Sequence, residues 1–288
     1  MTDAAPGAGF LAGALAGKVA LVTGTSPNIG GVLASGLAAA GARVACNDVI
    51  EATALDRVAR IEAAGGEALA VPFDVTEADG VQAGVAAVLE RWDRIDVLVN
   101  CAVRFDTTGI LDMPVERFRR QIDIILGGAF LVTQAVARSM VERGIGGSII
   151  NILSTAAWQG QAGNVGYSTG KSGLINFTRS VAMELAPHGI RVNGFTPTAT
   201  MPDEPELADR FRTAVARATE AGSMAFENLN PWPRLPTPSD YVAPVVFLAS
   251  DASTLMTGSN LTIDGGALAK YWPQIPARPA AASNGDGA

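Results

Sequence analysis

Seven short, strongly apolar runs recur along the chain, separated by longer stretches of helical spacing. The runs are KVALVT (18–23), ARVACND (42–48), EALAVPFD (67–74), IDVLVN (95–100), GSIINILS (147–154), IRVNGF (190–195) and NLTID (260–264). Most are apolar at consecutive rather than alternate positions, the pattern of a strand covered on both faces. Parallel strands need crossover connections, usually helices, and helical patterns fall between the runs, notably over 115–142 and 165–186. The alternation predicts an α/β fold, a Rossmann-type doubly wound parallel sheet of about seven strands flanked by helices. Residues 16–270 read as one domain, residues 1–15 as a flexible N-terminal segment, and 271–288, rich in Pro, Ala and Gly, as a loose tail. The stretch 197–237, rich in Pro, Met and acidic residues, breaks the rhythm and predicts a loop over a ligand.

Charge and composition remove several functional classes. The net charge is −7 and no Lys/Arg run occurs, which argues against nucleic acid as a partner. The first residues have no basic region ahead of their small-residue stretch, and no uninterrupted apolar run approaches the roughly 18–20 residues of a membrane span. The reading is a soluble, cytoplasmic protein. Cys46 and Cys101 sit in or beside apolar runs and read as small core residues in a reducing compartment. His188 is the single histidine, no metal-ligand cluster is visible, and no metal is expected.

The first strand run leads into a loop of small residues, VALVTGTSPNIGG (19–31), with the spacing Gly24-x-x-x-Asn28-x-Gly30. In a βαβ nucleotide site, glycines let backbone N–H groups approach a pyrophosphate at a helix N-terminus. Asn28 stands where positive φ is wanted, and asparagine is the side chain that tolerates it best. Asp48 ends the second run 18 residues after Gly30, where a carboxylate accepts hydrogen bonds from the adenosine ribose hydroxyls. That charge repels a 2′-phosphate and Pro27 adds no cation, so NAD is expected over NADP. Asp74 ends the third run at the same sheet edge and suits the adenine amino group. Tyr167 and Lys171, four apart, share one helix face, and Ser154 closes the fifth run thirteen residues before Tyr167. A Ser, a Tyr and a Lys beside a nicotinamide make a site for moving hydride and proton together. Lys171 and the oxidised nicotinamide would pull the Tyr167 pKa down, and Ser154 would hold the substrate oxygen.

Taken in order, these motifs resemble the short-chain dehydrogenase/reductase family over roughly residues 15–269. TGTSPNIG resembles TGxxxGxG, DVT (74–76) the adenine-side acid, and VNCA (99–102) the NNAG motif. Ser154, Tyr167 and Lys171 match the catalytic residues, and RVNGFTP (191–197) and TGSNLTIDGG (257–266) the closing segments. The resemblance implies strand order 3-2-1-4-5-6-7, Tyr167 as general acid/base, Lys171 as its pKa-lowering, ribose-binding partner and Ser154 as substrate-oxygen donor. Cofactor contacts are expected from Gly24, Asn28, Ile29, Gly30, Asp48, Asp74, Val75, Asn100, Tyr167, Lys171, Pro197 and Thr200. It also implies a homotetramer or homodimer through the two long helices.

Four positions depart from the family pattern. Asn28 replaces a glycine, Val103 stands where NNAG ends in glycine, Thr198 follows Pro197 where glycine is usual, and Ile125 fills an asparagine position. That asparagine helps hold a water joining the lysine to solvent, so isoleucine implies another proton route. The leading reading is an NAD-dependent oxidoreductase interconverting a secondary alcohol and a ketone, on a small apolar or cyclic substrate. Trp158, Phe195 and the 201–235 segment, with Phe211, Met224, Phe226 and Trp232, are the expected lining. The alternatives are a 3-oxoacyl-(acyl-carrier-protein) type ketoreductase and a non-catalytic dinucleotide-binding regulator. The first is opposed by Ile145 and His188 at the docking positions and by the acidic 203–209 segment; the second is opposed by the intact Ser154, Tyr167 and Lys171.

Overall fold

Neighbouring residues of each central strand feed two separate cores, as a sheet apolar on both faces requires. Residues 12–220 and 230–271 are described by the computed structural model. Its elements run β1 (Val19–Thr23), α1 (Ile29–Ala39), β2 (Arg43–Asn47), α2 (Glu51–Ala63), β3 (Ala68–Ala70), α3 (Ala78–Trp92) and β4 (Val97–Asn100). They continue with α4 (Val115–Ile122), α5 (Gly128–Glu142), β5 (Gly147–Ile152), α6 (Val165–Leu185), β6 (Ile190–Pro197), α7 (Pro205–Glu220), α8 (Val242–Ala249) and β7 (Asn260–Ile263). Among the described residues one sheet holds seven strands, all parallel, in the order β3-β2-β1-β4-β5-β6-β7. Ala20, Val22, Val44, Cys46, Val97 and Val99 pack with α1 and α8 on one face. Val19, Leu21, Ala45, Leu98, Ile149 and Val192 pack with α3 and α5 on the other. Both the α/β class and the strand order match the expectation.

Local departures from the sequence pattern have local causes. The third strand is Ala68–Ala70 rather than the whole run 67–74. Pro72 has no N–H for a ladder, and the Val71 and Phe73 carbonyls accept instead from the Asn47 side-chain amide, each at 3.0 Å. The helical stretch 115–142 is interrupted by a π turn over Asp123–Gly127, between α4 and α5. By length and composition Val115–Glu142 could cross a membrane, yet 56% of its apolar window is buried inside the fold, with Val132, Val136 and Met140 against the sheet. The segment expected as a loop after β6 contains α7, whose base is closed by Met201 N–H donating to Pro236 O at 2.9 Å.

The reading of 1–15 as a flexible segment also needs correction where the chain is described. Leu15 is fully buried in the α1 core, and its N–H donates to Ala40 O at 2.9 Å. Residues 1–11, the tail 272–288, and Met224 and Phe226 of the expected pocket lie outside the described residues. Leu15→Ala should therefore lower unfolding free energy by about 2–4 kcal/mol, the cost of emptying a buried leucine site. Chemical denaturation measures it, and a loss under about 0.5 kcal/mol would mean this segment does not belong to the core.

Candidate active site

In a parallel sheet every carboxyl end lies on one edge, and ligands bind there where the strand order reverses. Here that edge carries a cleft of about 1290 Å³ running from the loops after β2 and β3 to those after β5 and β6. The glycine loop after β1 forms its middle. Thr23 Oγ1 accepts the N–H groups of Cys101 and Ala102 at 3.1 and 3.2 Å, and Thr25 Oγ1 donates to Asn47 O at 3.1 Å, which ties the loop to β4 and β2. Gly24 has φ +71°, and a Cβ on Gly30 would come within 2.0 Å of Gly24 O, so no side chain fits at either place. Asn28 is exposed, caps α1 and lines the cleft with φ −140°. Positive φ is therefore not what this position asks for, contrary to the sequence expectation.

The adenosine end of the cleft fits a dinucleotide. Asp48 lines it, and its Oδ1 accepts from Ile50 N–H at 3.0 Å, leaving Oδ2 for a ligand; the neighbouring lining residues Ser26 and Val49 carry no positive charge. Asp74 and Val75 also line the cleft, but Asp74 is engaged. Its Oδ1 accepts from the Thr76 N–H and hydroxyl at 2.9 and 2.8 Å, and Arg120 from α4 reaches Oδ2 at 2.5 Å. Burial alone would raise its pKa, yet the bonds from Thr76 and Arg120 hold it below the usual carboxylate range. Arg120 was not signalled by the sequence motif. Ile29, Gly30, Pro197 and Thr200 line the cleft as expected.

Asn100 is the exception. Its amide donates to Thr133 Oγ1 at 3.0 Å and Asn151 Oδ1 at 2.9 Å, and Asn151 donates to Thr178 Oγ1 at 2.9 Å. The side chain thus braces β4, β5, α5 and α6 and does not face the cleft, which Cys101, Ala102 and Val103 line instead.

The nicotinamide end brings Ser154, Tyr167 and Lys171 together. Ser154 opens a 3₁₀ turn (Thr155–Ala157), where its Oγ accepts from Ala156 N–H at 3.1 Å, so its own hydrogen is left to donate. Tyr167 is 7% exposed, and Lys171 Nζ lies 5.8 Å from its ring centroid. Lys171 is buried and donates to Ile152 O at the end of β5. Burial pushes the Tyr167 hydroxyl up to about 12 against the opposing hydrogen bond with Ser154. Burial also brings Lys171 down to about 8. The lowering of the tyrosine expected from Lys171 is not what the site shows: loss of water sets the direction, and the bond that opposes it comes from Ser154.

Ile125 is 1% exposed, at the centre of the π turn and in a small core with Ala129, Leu153, Tyr167 and Leu174. A Cβ on Gly170 would sit 3.0 Å from its Cγ2, so α6 approaches this turn as closely as packing permits. Of the expected pocket aromatics, Phe211 lines the cleft. Phe195 is fully buried in the core, edge-on to Tyr241 at 5.4 Å, because its strand position faces α8. Trp158 turns away to donate to Thr196 Oγ1 at 3.2 Å, and Trp232 is 61% exposed outside the cleft. The sequence reading missed Phe105, Thr107, Gln159, Gln161 and Asn164, which line the substrate end. Nothing in their spacing signalled them, since each stands on an irregular segment or a helix cap. Ile145 and His188 precede β5 and β6, on the edge opposite the cleft.

Comparison with known proteins agrees with this geometry. A sequence model described as enoyl-(acyl carrier protein) reductase matches residues 24–267. A 3-oxoacyl-[acyl-carrier-protein] reductase of Synechocystis is 38% identical over 88% of this chain and 98% of its own. An L-rhamnose 1-dehydrogenase (NAD(P)(+)) of Sphingomonas is 37% identical over 88% of this chain and 96% of its own. A solved short-chain dehydrogenase/reductase from Mycobacterium marinum superposes with a TM-score of 0.80 at 34% identity, covering 89% of this chain and 97% of that one. The chain belongs to the short-chain dehydrogenase/reductase family, whose members use nicotinamide dinucleotides.

Ile125→Asn places an amide in an apolar contact with no partner in reach, and should cost about 1–3 kcal/mol in denaturation. Because Ile125 does not line the cleft and meets Tyr167 only through apolar packing, kcat should change by less than ~10-fold. A variant that turns on activity absent from the natural protein would show that the isoleucine had disabled the site.

Proposed function

Taking the chain as a short-chain dehydrogenase/reductase, we propose that it is an NAD-dependent oxidoreductase interconverting an uncharged secondary alcohol and its ketone. The convergence of Ser154, Tyr167 and Lys171 at the carboxyl edge, in one cleft with the glycine loop and Asp48, carries this reading. Gly24, Asn28, Ile29 and Gly30 would hold the pyrophosphate, Asp48 the adenosine ribose, Asp74 and Val75 the adenine, and Pro197 and Thr200 the nicotinamide side. NAD, when bound, would accept the hydride in alcohol oxidation, and its reduced form would supply the hydride in ketone reduction. In ketone reduction Tyr167 gives its proton to the substrate oxygen; in alcohol oxidation it takes one. Ser154, its lone pair engaged by Ala156 N–H, donates to that oxygen and fixes its place. Lys171, held near the tyrosine by its bond to Ile152 O, would bind the nicotinamide ribose. With Ile125 apolar, proton exchange with solvent runs through the cleft itself.

The relatives include sugar and polyol dehydrogenases and a carrier-protein reductase. The name of the Synechocystis relative favours the carrier-protein ketoreductase as a second reading. An acidic carrier needs a basic dock, and the segment flanking the cleft instead offers Asp203, Glu204, Glu206 and Asp209. We also propose a homodimer or homotetramer through α5 and α6, where Phe130, Val141 and Met183 stand exposed.

Two outcomes follow from the site. NAD should exceed NADP by at least ~30-fold in kcat/KM, about 2 kcal/mol, and Asp48→Ser should shrink that ratio; equal use of both cofactors by the natural protein would overturn the preference. Tyr167→Phe should keep NAD affinity and lose ~10²-fold or more in turnover. Since burial keeps this hydroxyl protonated well above neutrality, oxidation should rise with pH above neutral while ketone reduction falls. Steady-state profiles in both directions check the sign, and a Tyr167→Phe variant with the same rising limb would assign the proton to another group.

A further inference from the structure

Phe105 stands on the irregular segment after β4. Its ring stacks on the Tyr167 ring with centroids 4.1 Å apart and planes 23° from parallel. It lines the cleft and is 57% exposed, so the face turned away from Tyr167 is open to a ligand. An exposed aromatic ring on an irregular segment is not held in place by burial, yet this one is braced through its neighbour. Asp106 is 8% exposed, and its Oδ1 accepts the Thr108 N–H and hydroxyl at 3.1 and 2.7 Å. Its Oδ2 pairs with Arg117 Nε of α4 at 2.6 Å. The turn that presents Phe105 is therefore clamped to a helix.

The other walls at this end are uncharged and rich in hydrogen-bonding groups: Thr107, Gln159, Gln161 and Asn164. Asn164 is 3% exposed; its amide donates to Gln161 Oε1 at 3.0 Å, while its Oδ1 has no partner among the described residues. A buried carbonyl oxygen without a donor costs free energy that a ligand hydroxyl would recover. Among the described lining residues, the charged groups Asp48, Asp74 and Arg120 belong to the opposite end, and Lys171 is tied to Ile152 O. One flat apolar face beside a rim of carboxamides and hydroxyls matches a ring whose C–H face is flat and whose edge carries hydroxyls.

We infer that Phe105 is the specificity-determining platform of this site and that the substrate is an uncharged cyclic polyol, a pyranose or a cyclitol. This rests on the oxidoreductase reading above and narrows its substrate class. The test compares NAD-dependent oxidation of cyclohexane-1,2-diol, myo-inositol and L-rhamnose with that of the open-chain hexane-2,3-diol. At least one ring polyol should exceed the open-chain diol by ~10-fold in kcat/KM. Phe105→Ala should raise KM for that ring roughly five- to tenfold, the size of one lost stacking contact, and leave KM for the open-chain diol nearly unchanged. Phe105→Trp should keep the ring preference, and Arg117→Leu, which frees the clamp, should raise the ring KM in the same direction. Equal losses on both classes in Phe105→Ala, or no change in ring KM, would overturn the platform. A natural protein that oxidises the open-chain diol and no ring polyol would overturn it as well, while leaving the functional reading standing. A protein that binds NAD in calorimetry and oxidises neither class removes that reading and this inference together.

Discussion

A parallel strand cannot be joined to its neighbour by a tight turn, and this molecule is arranged around that constraint. Each connection must cross the sheet as a helix or long loop, so both faces become covered and every strand must be apolar on both sides. Val19 and Leu21 feed one core while Ala20 and Val22 feed the other. The same constraint gathers all the carboxyl ends on one edge. The glycine loop, Asp48, Asp74 and Ser154 come from strands far apart in the chain, yet they line one cleft because each follows a strand end there.

On that edge the chemistry is set by burial. Tyr167 lies beneath Phe105 and against the Ile125 turn, and Lys171 is buried near it; loss of water raises the tyrosine and lowers the lysine. The family's asparagine is replaced here by a side chain that packs, and the π turn at this place serves close helix contact with Gly170.

Legibility in the sequence followed the range of the signal. Apolar runs and their spacing revealed the seven strands, and the Tyr167–Lys171 interval placed both on one helix face. Boundaries were less legible where a single residue changed a bonding pattern, as Pro72 does in ending β3, or where a neighbour from elsewhere intervened. Leu15 looked like part of a tail because nothing local shows that Ala40 lies against it. Asn100 read as a cofactor residue from its motif, but its amide turns to Thr133 and Asn151, contributed by an adjoining helix and strand.

The sequence by itself determined the α/β class, the strand order through its family motifs, and the residue types delivered to the carboxyl edge. These depend on periodicity and on short backbone-controlled motifs, which operate within one element. Only the tertiary structure decided that Asn28 has a negative φ, that Asp74 pairs with Arg120, that Phe195 and Trp158 turn from the cleft, and that Phe105 stacks on Tyr167. Those outcomes depend on side chains from separate elements meeting at fixed distances. Packing sets such meetings, and no local pattern in the chain encodes them.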